Sequence, residues 1–589
     1  MFTRGKIPAH FLAAVCGFAA ALAVPYLVPI DAESFAMRSG VFSACLVLFS
    51  AFLLAPAFKS FNRSQWLSAA VPSFFFVLAL SVGTELFTYK GFLPGFGSAL
   101  RRFLVPVLIT PLLSSILLRF SVLRIPESPG PPAKWEAPAA FTLLFLFWLP
   151  VWLAYWPGML NYDFETEYMQ HITGEYSLIH PLSHSALMIG IISLGEALGS
   201  RTFGLFLMSL FQILVLDAVL TSCCVYLRQH GLPRLPVCLL LLIFGLHPVF
   251  SVMSVSMTKD TLFAACLTGL CLAGTALMES PERFFSGKRR PAAFVLFAAG
   301  TALMRVNGLF ALIPLLAALM IRIGKKDLKR MSILAALSLA VPLAVHLSLT
   351  ALLRPVSMPN FQLYSLPAQQ LVRAYNADRL TPEEKASLES WYVAPDGLIL
   401  HPHLADPAKG YLDRERLERE GTDFLRLWLQ AAPNARKEYL EAFLMLNIGS
   451  WYPDDLTHTT IYPDVSYNEK GYLQTQEYDL NGLGFSVTSF LPRLKHTLEQ
   501  ICRYNLYVKL PVIPILFSTG VPVWILVFAF ALRRLRRTPV SFAAAAGPIA
   551  LFLSYLLGPC TLARYIMPLF AISPFFLLLA FSTVPAEKS

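Results

Sequence analysis

The side chains best suited to chemistry cluster between Trp156 and Ser185, in WPGMLNYDFETEYMQHITGEYSLIHPLSHS. This stretch holds one Asp, three Glu, three His and a Gln between two long apolar runs. Asp163 and Glu165 form an acidic pair two residues apart. On an extended segment both carboxylates point to one side, where they suit a divalent cation such as Mg or Mn; on a helix they diverge. His180 and His184 have the i, i+4 spacing of a metal pair, without the HExxH pattern that would support zinc. Further along, Lys259 and Asp260 in SMTKDTLF, Arg305 and Asn307 in MRVNGLF, and Arg564 and Tyr565 in TLARYIMP sit at the ends of apolar runs or interrupt them. Arg presents a planar fork to phosphate oxygens, Lys a compact charge, and a helix N-terminus at Lys259 adds its dipole, so a lipid phosphate is the ligand these groups suit. A single Lys or Arg at a helix end can equally snorkel to the headgroups; Arg305, inside an apolar stretch, fits that explanation least.

Composition fixes what must position these groups. With 56% hydrophobic and 14% charged residues and a mean hydropathy of +0.59, the chain is excluded from the ordinary soluble globules and reads as a polytopic membrane protein. Unsatisfied backbone is so costly in lipid that its apolar runs must be helices. The net charge of +11 does not indicate nucleic acid, because the basic residues form short clusters at the ends of apolar runs, where they signal topology. The nine cysteines are scattered, mostly in or beside apolar runs, with only Cys502 and Cys560 placed for an oxidising compartment; they make no disulfide framework and no CxxC pair.

Apolar runs predict spans at Phe11–Val28, Val41–Phe58, Leu67–Phe87, Phe103–Leu118, Phe141–Tyr155, Phe203–Leu227, Leu235–Val252, Leu262–Met278 and Ile333–Leu352. Arg4 and Lys6 precede the first, which reads as an uncleaved helix rather than a signal peptide. Leu182–Leu198 reads as a surface or re-entrant helix, since a full crossing would put later basic loops on the wrong side. The stretch Ala292–Ile321 begins and ends at basic clusters, so it must be two short helices with Met304–Phe310 at an outer turn. Pro511–Leu532, Val540–Leu557 and Tyr565–Phe581 close the chain. The positive-inside rule gives about 14 membrane helices with both termini cytoplasmic and the residues named above on the outer face, with Lys90, Arg101 and Arg102 counting against it. His247 and His346, inside apolar runs, are expected to be packed and hydrogen-bonded.

This divides the chain into an N-terminal four-helix membrane region and linker (1–137), a membrane core (138–353) with the outer loop 156–201, an extracytoplasmic soluble domain of helical or mixed character (354–508), and a C-terminal three-helix membrane region (509–589). The soluble segment carries a capping box at Thr381-Pro382-Glu383-Glu384, helical periodicity over Asp413–Ala431, and an aromatic and acidic patch at Gly449–Asp455.

In order along the chain, PGMLNYDFETEYMQ, HPLSHS, TKDTLF, RVNGLF, AFLMLNIGSWYPD and ARYIMPL resemble an uncharacterised bacterial family of large multi-pass proteins, itself similar to the GT-C superfamily of polyprenyl-phosphate-sugar-dependent glycosyltransferases. The resemblance covers most of the chain from Phe141 to Phe581. Where the family has a doubled His, this chain has Ile179-His180-Pro181. The resemblance implies a GT-C-like core in the bacterial cytoplasmic membrane, and inverting transfer of a sugar from a polyprenyl-phosphate donor to a glycan or lipid-linked acceptor at the outer face. Asp163 would be the base, with Glu165 beside it, and Lys259, Arg305 and Arg564 would hold the donor phosphate. Gln170, His180, His184, Asp260, Asn307, Trp451, Tyr452 and Asp454 would bind sugar or acceptor.

Two other functions suit parts of the same pattern. A polysaccharide ligase or polymerase acting on lipid-linked glycans needs the same phosphate clamp. A transporter or flippase for lipid-linked sugars needs ionisable groups near mid-membrane and inverted repeats, and the sequence shows few of the former and no obvious repeat.

Overall fold

The computed structural model describes residues 9–27, 40–126, 131–356, 361–455, 483–503, 506, 510 and 513–582. Arg4, Lys6, the centre of the linker at 127–130, the start of the closing span at Pro511 and the Cys502 side chain lie outside that description. Among the described residues the protein is all helix, with three isolated β-bridges and no strand.

The helices of eight residues or more run in order as follows. First come α1 (Ala9–Ala23), α2 (Gly40–Ser60), α3 (Arg63–Tyr89), α4 (Phe96–Val122) and α5 (Glu136–Ala154). Then α6 (Tyr162–Thr173), α7 (Leu182–Ala197), α8 (Arg201–Gln229), α9 (Arg234–Leu246) and α10 (Lys259–Glu279) follow. Next are α11 (Arg289–Met304), α12 (Gly308–Arg322) and α13 (Leu328–Leu353). The polar segment contributes α14 (Ser365–Asn376), α15 (Pro382–Glu389), α16 (Arg414–Ala431), α17 (Arg436–Leu446) and α18 (Pro492–Arg503). The chain closes with α19 (Val521–Arg536), α20 (Ala546–Tyr555) and α21 (Ala563–Leu579). Six of these, α3, α4, α5, α8, α10 and α13, are long and apolar enough to cross a membrane. Shorter apolar helices include α1, α7, α9, α12 and α21, while α14 to α18 belong to the polar segment and α6 is polar.

Helix α10 is the hub. Its most apolar stretch is 72% buried, against 22% for α13 at the periphery, and it packs on α8, α11 and α21. The apolar stretch Ala292–Ile321 is two helices, as its basic ends require, broken at Arg305-Val306-Asn307. The next residue is Gly308, where a Cβ would overlap the Thr301 carbonyl oxygen, so only glycine lets α12 start this close to α11.

Three expectations need correction. The run Pro511–Leu532 is not one helix: a short helix at Ile513–Phe517 ends before α19 starts at Val521. The run Leu235–Val252 is not one helix: α9 stops at Leu246, because Pro248 disfavours helical backbone at His247, whose Nδ1 instead accepts the Val249 N–H at 3.1 Å. His247 Nε2 also lies 2.9 Å from the Leu516 carbonyl, so this histidine is packed and hydrogen-bonded. His346 is not packed: it lies on the exposed face of the peripheral helix α13.

Within the polar segment, Leu371, Leu388, Trp391, Phe424 and Leu427 form a core of their own. The Thr381–Glu384 capping box is present, with Pro382 at the first helical position. Asp413 caps α16 by accepting the Arg416 N–H at 3.0 Å. This unit docks on two membrane-region loops. Arg373 donates to Lys90 O at 2.6 Å and pairs with Glu441 at 2.7 Å, and Glu441 also accepts the Phe92 N–H. Ala405 N–H and Asn447 Nδ2 donate to the carbonyls of Pro559 and Leu556, just before α21.

Candidate functional site

Two loops run side by side into the site. Met159 N–H donates to Val255 O at 2.8 Å and Met257 N–H donates to Met159 O at 2.9 Å, a parallel bridge between the segments that lead into α6 and α10. The bridge is braced from α8. Ser209 Oγ donates to the Pro157 carbonyl at 2.5 Å, and Gln212 Nε2 to the Ser256 carbonyl at 3.0 Å. Asn161 caps α6, accepting the Phe164 N–H at 3.0 Å. The register therefore puts Asp163, in the first turn of α6, beside Lys259, the first residue of α10.

From there the charges alternate through the protein. Asp163 Oδ2 accepts from Lys259 Nζ at 2.6 Å and from Arg564 Nη1 at 2.9 Å. Arg564 Nε lies 3.6 Å from Asp260 Oδ2, and Asp260 Oδ1 accepts from Arg305. Tyr565, Tyr555 and Phe263 surround the Arg305 guanidinium, the Tyr565 ring centroid lying 4.5 Å away. On the other side, Lys259 Nζ donates to His180 Nδ1 at 3.2 Å. His180 in turn lies 3.6 Å from Glu167 Oε1. Glu167 Oε2 accepts from His184 Nδ1 at 2.8 Å and from Ser185 Oγ at 2.7 Å. Three cations (Arg305, Arg564, Lys259) thus alternate with three carboxylates (Asp260, Asp163, Glu167), contributed by α6, α10, the start of α21 and the break between α11 and α12.

The site is dry. Asp163 is 3% exposed, and Glu167 and His184 not at all. Burial favours the neutral acid at Asp163, but the charges of Lys259, Arg564 and His180 outweigh it and hold the carboxyl far below the usual carboxylate range. Glu167 is likewise held low, burial being overcome chiefly by His184. At His180, burial and then the Lys259 charge disfavour protonation, so its pKa is lowered and its neutral form accepts from Lys259.

The structure brings Asp163, His180, His184, Lys259, Asp260, Arg305 and Arg564 into one network. It adds Glu167, one of the three Glu of the Trp156–Ser185 stretch. The signal was the spacing: Asp163 and Glu167 are four apart, hence on one helix face. The same geometry corrects the acidic pair. Asp163 and Glu165 lie on a helix, not an extended segment, so their carboxylates diverge, and Asp163 is committed to Lys259 and Arg564.

Other candidates lie outside the network. Gln170 exchanges two hydrogen bonds with Ser177, fixing the turn after α6. Asn307 occupies the break before α12 without capping it. Tyr452 is buried against Gly83, where a Cβ would overlap its ring, with its hydroxyl 3.2 Å from Thr84 Oγ1. Trp451 donates its indole N–H to Leu444 O in the same cluster. Tyr452 therefore offers no face to a saccharide; it seals the polar segment onto α3. Asp454 is exposed beside that cluster. Closer to the charges is Ser450, whose Oγ lies 2.9 Å from Thr561 Oγ1, three residues before Arg564.

No curated protein and no solved structure matches this chain. A family model does match, over residues 176–588, well over half of the chain; the match includes His180, His184, Lys259, Asp260, Arg305 and Arg564 and begins just after α6, which carries Asp163 and Glu167. On that match the chain belongs to DUF6020, a family of unknown function.

Proposed function

We propose that this protein is a membrane glycosyltransferase that moves a sugar from a polyprenyl-phosphate donor to a glycan or lipid-linked acceptor, with inversion, at the outer face of the bacterial cytoplasmic membrane. On this reading the chain has about 14 membrane helices with both termini inside, and the polar segment is an outer domain above the site. The observation that carries it is the Lys259–Asp163–Arg564 arrangement: a carboxylate and two phosphate-competent cations, largely buried, at the ends of helices far apart in sequence. A scaffold has no need of such a group, since a buried ion pair stabilises little once its desolvation is counted.

In the reaction, Asp163 takes the proton of an acceptor hydroxyl as that oxygen attacks the anomeric carbon. The bond from that carbon to the phosphate oxygen breaks, and the electron pair leaves on the lipid phosphate, already a stable anion that needs no acid. Lys259 and Arg564 receive the growing phosphate charge, and Arg305 holds Arg564 in place through Asp260. The resting pairing has a consequence for order. While both cations grip Asp163 it is a weak base. When the donor phosphate draws them away, its proton affinity rises, so the donor prepares the base that the acceptor then meets.

The test is to offer purified protein a panel of polyprenyl-phosphate sugars with membrane acceptors and to follow free polyprenyl phosphate. The proposal predicts release from at least one donor, dependent on acceptor. A folded protein that releases none, or that moves the intact lipid-linked sugar across vesicles, contradicts it.

A further inference from the structure

Several helix-end cations of this protein have a carboxylate. Arg228 and Arg234 share Glu136 at 2.8 and 3.1 Å, Arg330 has Asp327 at 3.3 Å, and Lys326 has Glu282. Among the described residues others do not, as in the last turns of α4 and α19. Arg533 and Arg536, together with Arg322 at the end of α12, have no ion-pair partner among the described residues. Arg322 stands near enough to Arg533 for their charges to repel.

Nor are these side chains free to swing out into water. Arg533 Nε donates to Val540 O at 2.6 Å, and its guanidinium lies over the Phe542 ring at 5.3 Å. Arg536 Nη1 donates to the Ser121 and Leu123 carbonyls at 2.9 and 2.8 Å, over the Phe581 ring at 4.6 Å. Each guanidinium is thus anchored by one nitrogen and an aromatic face, which leaves the rest of its fork for another acceptor. Both remain partly exposed and Arg322 is exposed, so the patch is reachable. Backbone carbonyls satisfy the geometry of the anchoring nitrogens but not the charge.

We infer that Arg533 and Arg536, with the charge of Arg322 adding to theirs, form a site for the phosphodiester headgroup of an anionic membrane lipid, where the end of α19 meets the end of α4. A phosphodiester carries one negative charge on two equivalent oxygens, which matches the two-pronged donors left on each guanidinium. A lipid is the source favoured over a free anion, because the patch lies at the ends of apolar helices, where headgroups of a surrounding bilayer reach. The site does not depend on the proposed transferase activity.

The experiment is a titration of the full-length protein in neutral detergent with phosphatidylglycerol, phosphatidylcholine or inorganic phosphate, reading the thermal unfolding midpoint. Phosphatidylglycerol is expected to raise the midpoint saturably and phosphatidylcholine not to. Arg533→Gln or Arg536→Gln is expected to weaken the apparent lipid affinity about fivefold each. Should either variant fail to fold, Arg322→Gln, which disturbs no anchoring bond, is expected to weaken it similarly. Equal response to both lipids, or undiminished phosphatidylglycerol affinity in Arg322→Gln and Arg533→Gln, overturns the inference. An equal rise with millimolar inorganic phosphate overturns the lipid assignment in favour of a soluble anion.

Discussion

Arg564 and Asp163 stand 401 positions apart in the chain, yet Arg564 Nη1 donates to Asp163 Oδ2 across 2.9 Å, with both side chains buried. Each therefore depends on the other to be tolerated in the interior. Removing one partner of a buried pair leaves an uncompensated charge, which costs about 3–5 kcal/mol. Arg564→Ala should accordingly lower both the unfolding midpoint and the affinity for polyprenyl phosphate. Arg564→Lys should keep the charge and most of the stability but lose the fork that reaches both Asp163 and Asp260. An Arg564→Lys variant with unchanged donor KM and kcat would mean that the side chain only anchors the helix.

Acid should destabilise the network in two steps. His180 has a pKa below the ordinary 6.5, so its neutral form is a feature of the fold, and the stability this brings is complete above 6.5 and lost as pH falls. Glu167 and Asp163 are held below their ordinary values of 4.5 and 3.8, so their contributions persist above those values and disappear below them. A thermal-unfolding series should show a first decline as pH falls below 6.5 and a steeper one below 4.5. His180→Gln should flatten the first decline alone; if it leaves the profile unaltered, another group titrates there.

Gly308 is expected to be the position near the site least tolerant of a methyl group. A Cβ there meets the Thr301 carbonyl, which is backbone and cannot rotate aside. Gly308→Ala should cost about 1–3 kcal/mol in stability. It should also reduce donor affinity by moving Arg305 relative to Asp260. Retained affinity at wild-type stability would show that the break between α11 and α12 has slack.

Chelation should leave turnover unchanged. The donor set for a divalent cation at Asp163 and Glu165 requires both carboxylates on one side, and the helix turns them apart. Activity lost in EDTA and restored by Mg would contradict this geometry.

Much of the frame was legible in the sequence. The basic ends of Ala292–Ile321 demanded a break, and Arg305-Val306-Asn307 is that break. The capping residues of α15 and α16 follow rules that act within four residues, so they needed no tertiary knowledge. The cations of the site were legible because charge at an apolar helix end is costly wherever it occurs. What the sequence could not supply was pairing. That Asp163 meets both Lys259 and Arg564 depends on the Met159 bridge, a contact between backbones with no side-chain signature. The fate of Tyr452 depends on α3, more than 360 residues away, whose Gly83 leaves room for the ring. The helix under Asp163 was more accessible than it looked, since Asn161 is a capping residue in the right place.

The central claim, that Asp163 acts as the base of a transfer reaction, is tested most directly by comparing the wild type with Asp163→Asn in one assay of acceptor-dependent polyprenyl phosphate release and one of donor binding. Asn keeps the size of the side chain and a hydrogen-bond acceptor for Lys259 and Arg564 while removing the proton acceptor. The account predicts donor binding within a small factor of wild type and turnover reduced by about 10²–10⁴. Turnover preserved in a folded Asp163→Asn protein would contradict it.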